Sequence, residues 1–429
     1  MIQAQELPRR EGTGYILRRS LVWVTDNEFW ITCLVVPLLL FPNRWTWVGL
    51  MALLLLWLAR FLQTRQLICR TPLDLPILLL LLMVPVSLYV TVDLQLSLVG
   101  MLQILAGTSL FYAAVNGLVS SKHLVQLICF LILAGLGLAL VAPLGTEWAT
   151  DKVFALPQVY DKVPRSLPET VHPNVLAGAI VLVVPFVLGL LLFPQPATGK
   201  TKVLMVVFLV LALVMMTGTV ILTQSRGAYV ALGAGLFVVA TARFRWLGFI
   251  IPLLALALLT VVHTVGTAAV VDAFLHSGAL GSWEGRQEVW SRALYMMRDF
   301  PYTGIGLGTF GKVAPVMYPY FILGPGAVVP HAHNLFLQVG VDLGIPGLIA
   351  FLAMLTSTLF MAARAYVVSR RLGEKTLTGI SLGLLGGLVA LVIHGLVDAV
   401  TWGSKASFLP WLLFAATVIA YRQTLRGET

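Results

Sequence analysis

Charge is what this chain has least of. Its 429 residues include 28 Lys and Arg and 18 Asp and Glu, 11% charged against 59% hydrophobic. A soluble domain carries about 25% charged residues, and a soluble chain of this length would have two or three polar surfaces to coat. A soluble enzyme is excluded. Cysteine is scarce as well: Cys33, Cys69 and Cys129 are an odd number without metal-ligand spacing. They read as small apolar fillers, which excludes a secreted disulfide scaffold. No basic run is long enough for a nucleic-acid arm, although the net charge is +10. No small-residue cleavage site follows the apolar stretch after Arg9, Arg10, Arg18 and Arg19, so the N-terminus reads as a cytoplasmic tail and not as a cleaved signal. There is no clear internal repeat, and an inverted-repeat transporter gains no support.

What the chain has in abundance is apolar length. Runs such as Leu50–Leu58, Ile77–Val84 and Ile250–Val262 are almost purely apolar, and a helix crossing a bilayer needs about 20 such residues. The pattern predicts an all-α polytopic membrane protein with about twelve spans, near 29–41, 46–62, 73–91, 97–118, 123–145, 174–193, 203–222, 227–241, 246–264, 334–361, 377–400 and 406–421. The first and eighth are short, so they are candidates for a tilted or broken span. With both termini inside, 18 of the 28 basic residues fall on the inner side, the bias expected of cytoplasmic loops. The net charge then reads as a topology signal. The expected division is a cytoplasmic tail 1–28, spans one to nine over 29–264 with an external loop 146–173, a large external loop 265–333, spans ten to twelve over 334–421, and a tail 422–429.

The long external loop is where chemistry concentrates. Its aromatic and apolar content predicts an ordered, functional segment. Residues 285–300 read GRQEVWSRALYMMRDF, an amphipathic helix with Val289, Trp290, Ala293, Leu294 and Met297 on one stripe. Arg286 projects from that stripe, and an arginine there needs an anionic partner or ligand, or snorkels to a headgroup. Arg226, in the outer turn between spans seven and eight, is costly between two apolar helices unless paired or solvated, or serves as an interfacial anchor; Gly227 beside it permits close approach. His331 and His333 stand where the loop enters span ten. His333 and Asn334 sit at a helix N-terminus, which disfavours imidazolium and suits a neutral histidine acting as base; a cap is the plainer alternative. Two histidines two apart could also ligate a metal, but the sequence fixes no third and fourth ligand, and no metal is expected. His394 and Asp398, four apart, could pair and orient a catalytic group or merely satisfy each other. His172 precedes Pro173 and Asn174 at the start of span six, where Asn174 resembles a helix cap. Arg226, Arg286, His333 and Asp398 all fall on the external side of this topology. Two arginines and a histidine there suit a lipid-linked diphosphate, with phosphate oxygens held bidentately and a hydroxyl proton taken by the histidine.

At these residues the chain resembles the O-antigen ligase and polymerase superfamily of membrane glycosyltransferases. The matching pieces are Ser225-Arg226-Gly227-Ala228; Gly285-Arg286 with Trp290, Pro301, Gly304, Gly306 and Gly308; and His333-Asn334 followed by Gly344 and Gly347. The order and helix count fit over roughly residues 70–421, with the stronger motifs in about 170–350. Val230 departs from a leucine common in the family's arginine motif. The resemblance implies a GT-C-like fold in a bacterial plasma membrane and metal-independent, cofactor-free transfer from a polyprenyl-diphosphate-linked glycan. It implies that Arg226 and Arg286 hold the diphosphate, that His333 activates a hydroxyl of a glycan or lipid acceptor, and that the anomeric centre inverts. The missing Asp-x-Asp motif agrees with a lipid-linked donor. The competing classes are a transporter of the inorganic-carbon-uptake type, which is similar in this region, and a structural component of a cell-envelope complex. The polar residues gather at one face and leave few ionisable groups at the span centres for a through-pathway.

Overall fold

A computed structural model describes residues 13–118, 120–146, 148, 166, 172–193, 198–267, 283–324 and 326–428. Among them there is no β-strand. The helices are α1 (Thr13–Asp26), α2 (Glu28–Val35), α3 (Pro37–Leu40), α4 (Thr46–Thr64), α5 (Asp74–Val90), α6 (Leu94–Gly117), α7 (Ser121–Val141), α8 (Pro173–Ile180), α9 (Val184–Leu192), α10 (Gly199–Leu222), α11 (Arg226–Arg243), α12 (Ile250–Val265), α13 (Trp283–Asp299), α14 (Phe310–Met317), α15 (Leu335–Arg371), α16 (Lys375–Gly395) and α17 (Phe408–Glu428). Every apolar run of the sequence falls on one of these helices or on a broken pair. By length and composition, eight segments among the described residues can cross a membrane, or nine if the bent pair Arg18–Asp26 and Glu28–Leu40 is one span. The 17-residue α5 is apolar but short, α12 has 16 residues, and the 18-residue α11 is long enough but begins and ends with an arginine. Most of the loop expected at 146–173 lies outside the described residues.

Prolines account for two of the breaks. Pro37 begins α3 and Pro185 lies in the first turn of α9; each lacks an N–H and crowds the carbonyl four residues back. The first apolar run is thus broken at Pro37, and it also meets the preceding helix segment Arg18–Asp26 at 69°. The sixth run is two helices, not one.

Lipid tails are as apolar as leucine, so membrane helices associate through close packing of small residues more than through the hydrophobic effect. α16 shows how. Gly379, Gly383, Gly386 and Gly387 recur at helical spacing on a helix whose apolar window is 72% buried. A Cβ at Gly379 would lie 2.8 Å from the Gly189 carbonyl oxygen of α9, and one at Gly386 would lie 2.8 Å from the Gly235 carbonyl oxygen of α11. α9 and α11 therefore press backbone to backbone on α16, and α15 and α17 complete its surroundings.

The two ends of the bundle differ. At one end Arg422 donates to the carbonyls of Arg70 and Val115, Arg370 donates to that of Ala242, and Ser121 meets Gln423. The basic connections thus gather together. At the other end the long loop folds as a small body of its own, with a core of Val289, Ala293, Met296, Phe310, Val313 and Val329. The expectation of an ordered loop holds for residues 283–324 and 326–333, while 268–282 lie outside the described residues.

Candidate active site

α15 is two helices joined at Gly344, whose φ of +69° and ψ of −177° interrupt the helical run, with Pro346 two residues on. The break frees backbone groups that must be satisfied elsewhere. Residues 301–305 supply the partners: Ile305 N–H donates to the Val341 carbonyl at 2.9 Å, and Ile345 N–H donates to that of Pro301 at 2.7 Å. The approach is so close that a Cβ on Gly304 would lie 2.5 Å from the Val341 oxygen, and Gly304 also needs φ +67°. This locks the long loop onto the first turns of α15.

Asn334 caps α15, its side-chain oxygen accepting from Phe336 and Leu337 N–H at 3.0 Å each. Its amide donates to the Leu396 carbonyl at 2.9 Å, tying the start of α15 to the end of α16. His331 and His333 precede the cap with ring centroids 4.2 Å apart. His333 takes φ +46°, a conformation costly for a residue with a Cβ and held only by its surroundings. Gln224, beside Ser225 and Arg226, is likewise left-handed at φ +50°.

Asp398 faces both imidazoles. Its Oδ1 lies 3.6 Å from His333 Nδ1 and 3.9 Å from His331 Nε2. Oδ1 also accepts the Ala399 N–H at 2.8 Å, and Oδ2 accepts the Asn174 amide at 2.8 Å. Burial works against charge on this carboxylate, yet His333, then His331 and His394, hold it below the usual carboxylate range. His331 Nδ1 accepts the His333 N–H at 3.2 Å, which requires an unprotonated Nδ1. Burial accordingly pushes His331 down to about 4, with His333 adding to the effect and Asp398 opposing it.

Arg286 reaches this cluster from α13. Its Nη1 donates to the Val397 carbonyl at 2.5 Å, while its Nε is buried without a hydrogen-bond partner. Burial lowers its pKa most, Asp398 raises it, and Arg226 lowers it further, so Arg226 lies within electrostatic reach. The neighbouring Trp290 indole N–H points to the His333 carbonyl at 3.4 Å. His333 Nδ1 is also buried without a hydrogen-bond partner.

Several sequence expectations change in detail. The buried stripe of α13 runs through Val289, Ala293 and Met296, while Leu294 is 55% exposed. Asn174 is not the cap of α8: His172 is, its Nδ1 accepting the Asn174 N–H at 3.2 Å, which leaves the Asn174 amide for Asp398. His394 and Asp398 make no side-chain hydrogen bond; His394 Nε2 is buried without a partner, close to Gly178 and Gly227. His331, His333 and Asp398 each offer one ligand atom, all within 4.8 Å of one another, so the third donor for a metal exists but comes from 65 residues downstream. Two imidazoles and a carboxylate could take a divalent cation with an open position.

Other contributors escaped the sequence. Glu288 accepts the N–H groups of Phe321, Ile322 and Leu323 and pairs with Arg292 at 3.1 Å, which pins the end of the loop to α13. Gln338 accepts the Ala332 N–H at 2.7 Å and donates to Asp342 at 2.9 Å. Asp342 also accepts from Gly308 N–H and from the Trp402 indole. A lone acid inside an apolar span was a signal for Asp342; a backbone nest for Glu288 has no sequence signature.

Residues 211–352 match the O-antigen ligase family, which bears out the resemblance over that stretch. The matched residues include Arg226, Arg286, His331, His333 and Asn334, and stop short of His394 and Asp398. No curated protein matches the chain.

Proposed function

With an O-antigen ligase domain over residues 211–352 as the premise, we propose that this multi-pass membrane protein transfers a glycan from a polyprenyl diphosphate to an acceptor hydroxyl. The observation that carries the proposal is the pairing of two groups in one place. Arg286, with Arg226 in electrostatic reach and a buried, unpartnered Nε, stands next to a His331–His333–Asp398 cluster. Two guanidinium groups match the charge of a diphosphate, and planar N–H pairs bind its oxygens bidentately.

In this scheme the acceptor oxygen attacks the anomeric carbon and the carbon–oxygen bond to the diphosphate breaks, its electron pair leaving with the phosphate oxygen. His333 takes the hydroxyl proton; its Nδ1 is turned to Asp398, which leaves Nε2 as the acceptor. Asp398 steadies the imidazolium that forms, and Arg226 and Arg286 bind the charge that develops on the leaving diphosphate. A single displacement inverts the anomeric centre. His172, His331, Asn334 and His394 support the site without bonding changes of their own. In this reading His331, His333 and Asp398 act as proton machinery, with Asp398 held by the Asn174 amide and the Ala399 N–H; treatment with a chelator is expected to leave transfer unchanged, and loss of transfer would assign the trio to a metal instead.

The proposed setting is a bacterial plasma membrane with twelve spans, of which α5 and α12 are short, and both termini cytoplasmic. The site faces the outside, and the partners are the lipid-linked glycan donor, a glycan or lipid acceptor and membrane lipids. The test uses purified protein in detergent with a polyprenyl-diphosphate glycan and candidate acceptors. Wild type is expected to consume donor and form product, and His333→Ala and Arg286→Ala to lose most of this activity. Product formation at the wild-type rate by both variants defeats the mechanism. Solute flux into liposomes without donor consumption would assign the protein to transport.

A further inference from the structure

Three side chains from two distant segments converge beside the arginines. His331, His333 and Asp398 each present one donor atom, all within 4.8 Å of one another. Asp398 Oδ1 lies 3.6 Å from His333 Nδ1 and 3.9 Å from His331 Nε2, too far for hydrogen bonds. His333 Nδ1 is buried without a hydrogen-bond partner, so the space between the three groups leaves a polar atom unmet, at a cost. Zinc bonds to imidazole nitrogen and carboxylate oxygen of about 2.0–2.2 Å set tetrahedral donors about 3.3 Å apart. Small side-chain rotations bring the present donors to that spacing. The imidazoles are already gathered at the entry to α15, with ring centroids 4.2 Å apart. Asp398 is fixed by the Asn174 amide and the Ala399 N–H, the kind of outer support that orients a carboxylate ligand. The side chains of His331 and His333 are 29% and 18% exposed, which gives an ion a way in from solvent.

The donor set selects the ion. Two imidazole nitrogens and one carboxylate oxygen suit zinc, whereas magnesium and calcium take oxygen ligands. Three protein ligands leave a fourth position to water. Two features limit the affinity. Arg286 and Arg226 act electrostatically on this cluster and repel a cation. His331 Nδ1 accepts the His333 N–H at 3.2 Å, and that bond is given up when the imidazole moves its proton to Nδ1 and offers Nε2 to a metal. We infer that His331, His333 and Asp398 form a reversible zinc site whose occupancy stops glycosyl transfer. The inhibition follows from a tautomer. As a base, His333 keeps its proton on Nδ1 and takes the hydroxyl proton on Nε2. Zinc on Nδ1 moves the first proton to Nε2, and the imidazole then has no lone pair left to accept the second. Asp398, bound to the metal, no longer steadies an imidazolium. The inhibition rests on the glycosyl-transfer reading above; the zinc site does not.

The full chain in detergent, free of tag and metal and in a background without Cys33, Cys69 and Cys129, competes for zinc with a chromogenic indicator. One zinc per chain is expected to bind, and excess magnesium should not displace it. His331→Ala, His333→Ala and Asp398→Asn should each weaken binding at least about 10-fold, since loss of an outer-shell partner alone has that effect. Arg286→Ala, which removes a repelling cation, should tighten it. Size-exclusion profiles check folding, and if one variant misfolds the other two decide. No saturable binding, or an affinity unchanged in all three folded ligand variants, overturns the proposal. In the transfer assay zinc should inhibit with the half-saturation found for binding, and a chelator should restore the rate. Undiminished transfer at full occupancy would overturn the inhibition. Zinc binding without sugar transfer by any form of the protein would sink the reaction and leave a metal site. Transfer dependent on His333 without zinc binding would sink the metal site alone.

Discussion

Asp398 is the residue on which the site turns. It accepts the Asn174 amide and the Ala399 N–H and lies against two imidazoles. Asp398→Asn keeps the shape and removes the charge, so turnover is expected to fall by about 100-fold or more, within the range of general acid–base assistance. Asn174→Ala, which removes one charge-assisted hydrogen bond, should cost about 10-fold; steady-state rates on folded protein check both. His331 predicts a pH dependence of stability. Its folded pKa of about 4 lies below the ordinary value of 6.5, so the unfolded chain binds the extra proton between those values. Stability should therefore fall as pH drops from about 6.5 toward about 4. Thermal unfolding across that window checks the sign, and His331→Asn should flatten the slope. At this scale the sequence was readable where an ionisable residue sat in an apolar setting: Arg226, Arg286, His333 and Asp398 each stood out by cost. Asn174 was misread because capping rules look along the chain, whereas its amide bonds Asp398 from 224 residues away. His394 and Asp398 were paired by spacing, yet Asp398 turns to the α15 entry and His394 to Gly178 and Gly227.

Among the elements, α13 and the broken α15 carry the site. The amphipathic character of α13 was legible from spacing, but the buried stripe through Met296 instead of Leu294 depends on where α14 and residues 318–330 pack against it. Glu288 fastens that packing through three backbone N–H groups. Here burial opposes the charge and the N–H donors outweigh it, so Glu288 stays below its ordinary pKa. Glu288→Ala leaves those donors without an acceptor. Amide exchange at Phe321–Leu323 should quicken by at least about 10-fold, read by hydrogen-exchange mass spectrometry. The Gly344 break was signalled by Pro346 two residues on, but was read over because the apolar run continues on both sides. The glycines were visible as a motif, and the structure gives their reason: loop and helix meet at Gly304 and Gly344. Gly304→Ala must place a Cβ 2.5 Å from the Val341 oxygen at φ +67°. Unfolding should shift by about 2 kcal/mol or more, in the range of backbone strain and overpacking.

At the scale of the whole molecule, composition alone gave the class, since 11% charge cannot coat a soluble protein of this size. The apolar runs gave the helices, but length and composition qualify eight or nine among the described residues as spans, because α5 and α12 are short and α11 carries an arginine at each end. Orientation remains a proposal with a direct check. Lys312→Cys, at the loop end of the bundle, should react with a membrane-impermeant maleimide in intact cells, and Arg371→Cys only after permeabilisation, each in a background without Cys33, Cys69 and Cys129.

The central claim is a division of labour within one site: arginines bind the diphosphate and a histidine moves the proton. Affinity for polyprenyl diphosphate, the proposed leaving group, measures that division without any glycan. Arg226→Ala and Arg286→Ala should each weaken binding by about 10-fold or more, as expected for losing a charge-assisted contact, while His333→Ala binds like wild type. Unchanged binding in both arginine variants, or a loss confined to His333→Ala, would contradict the account.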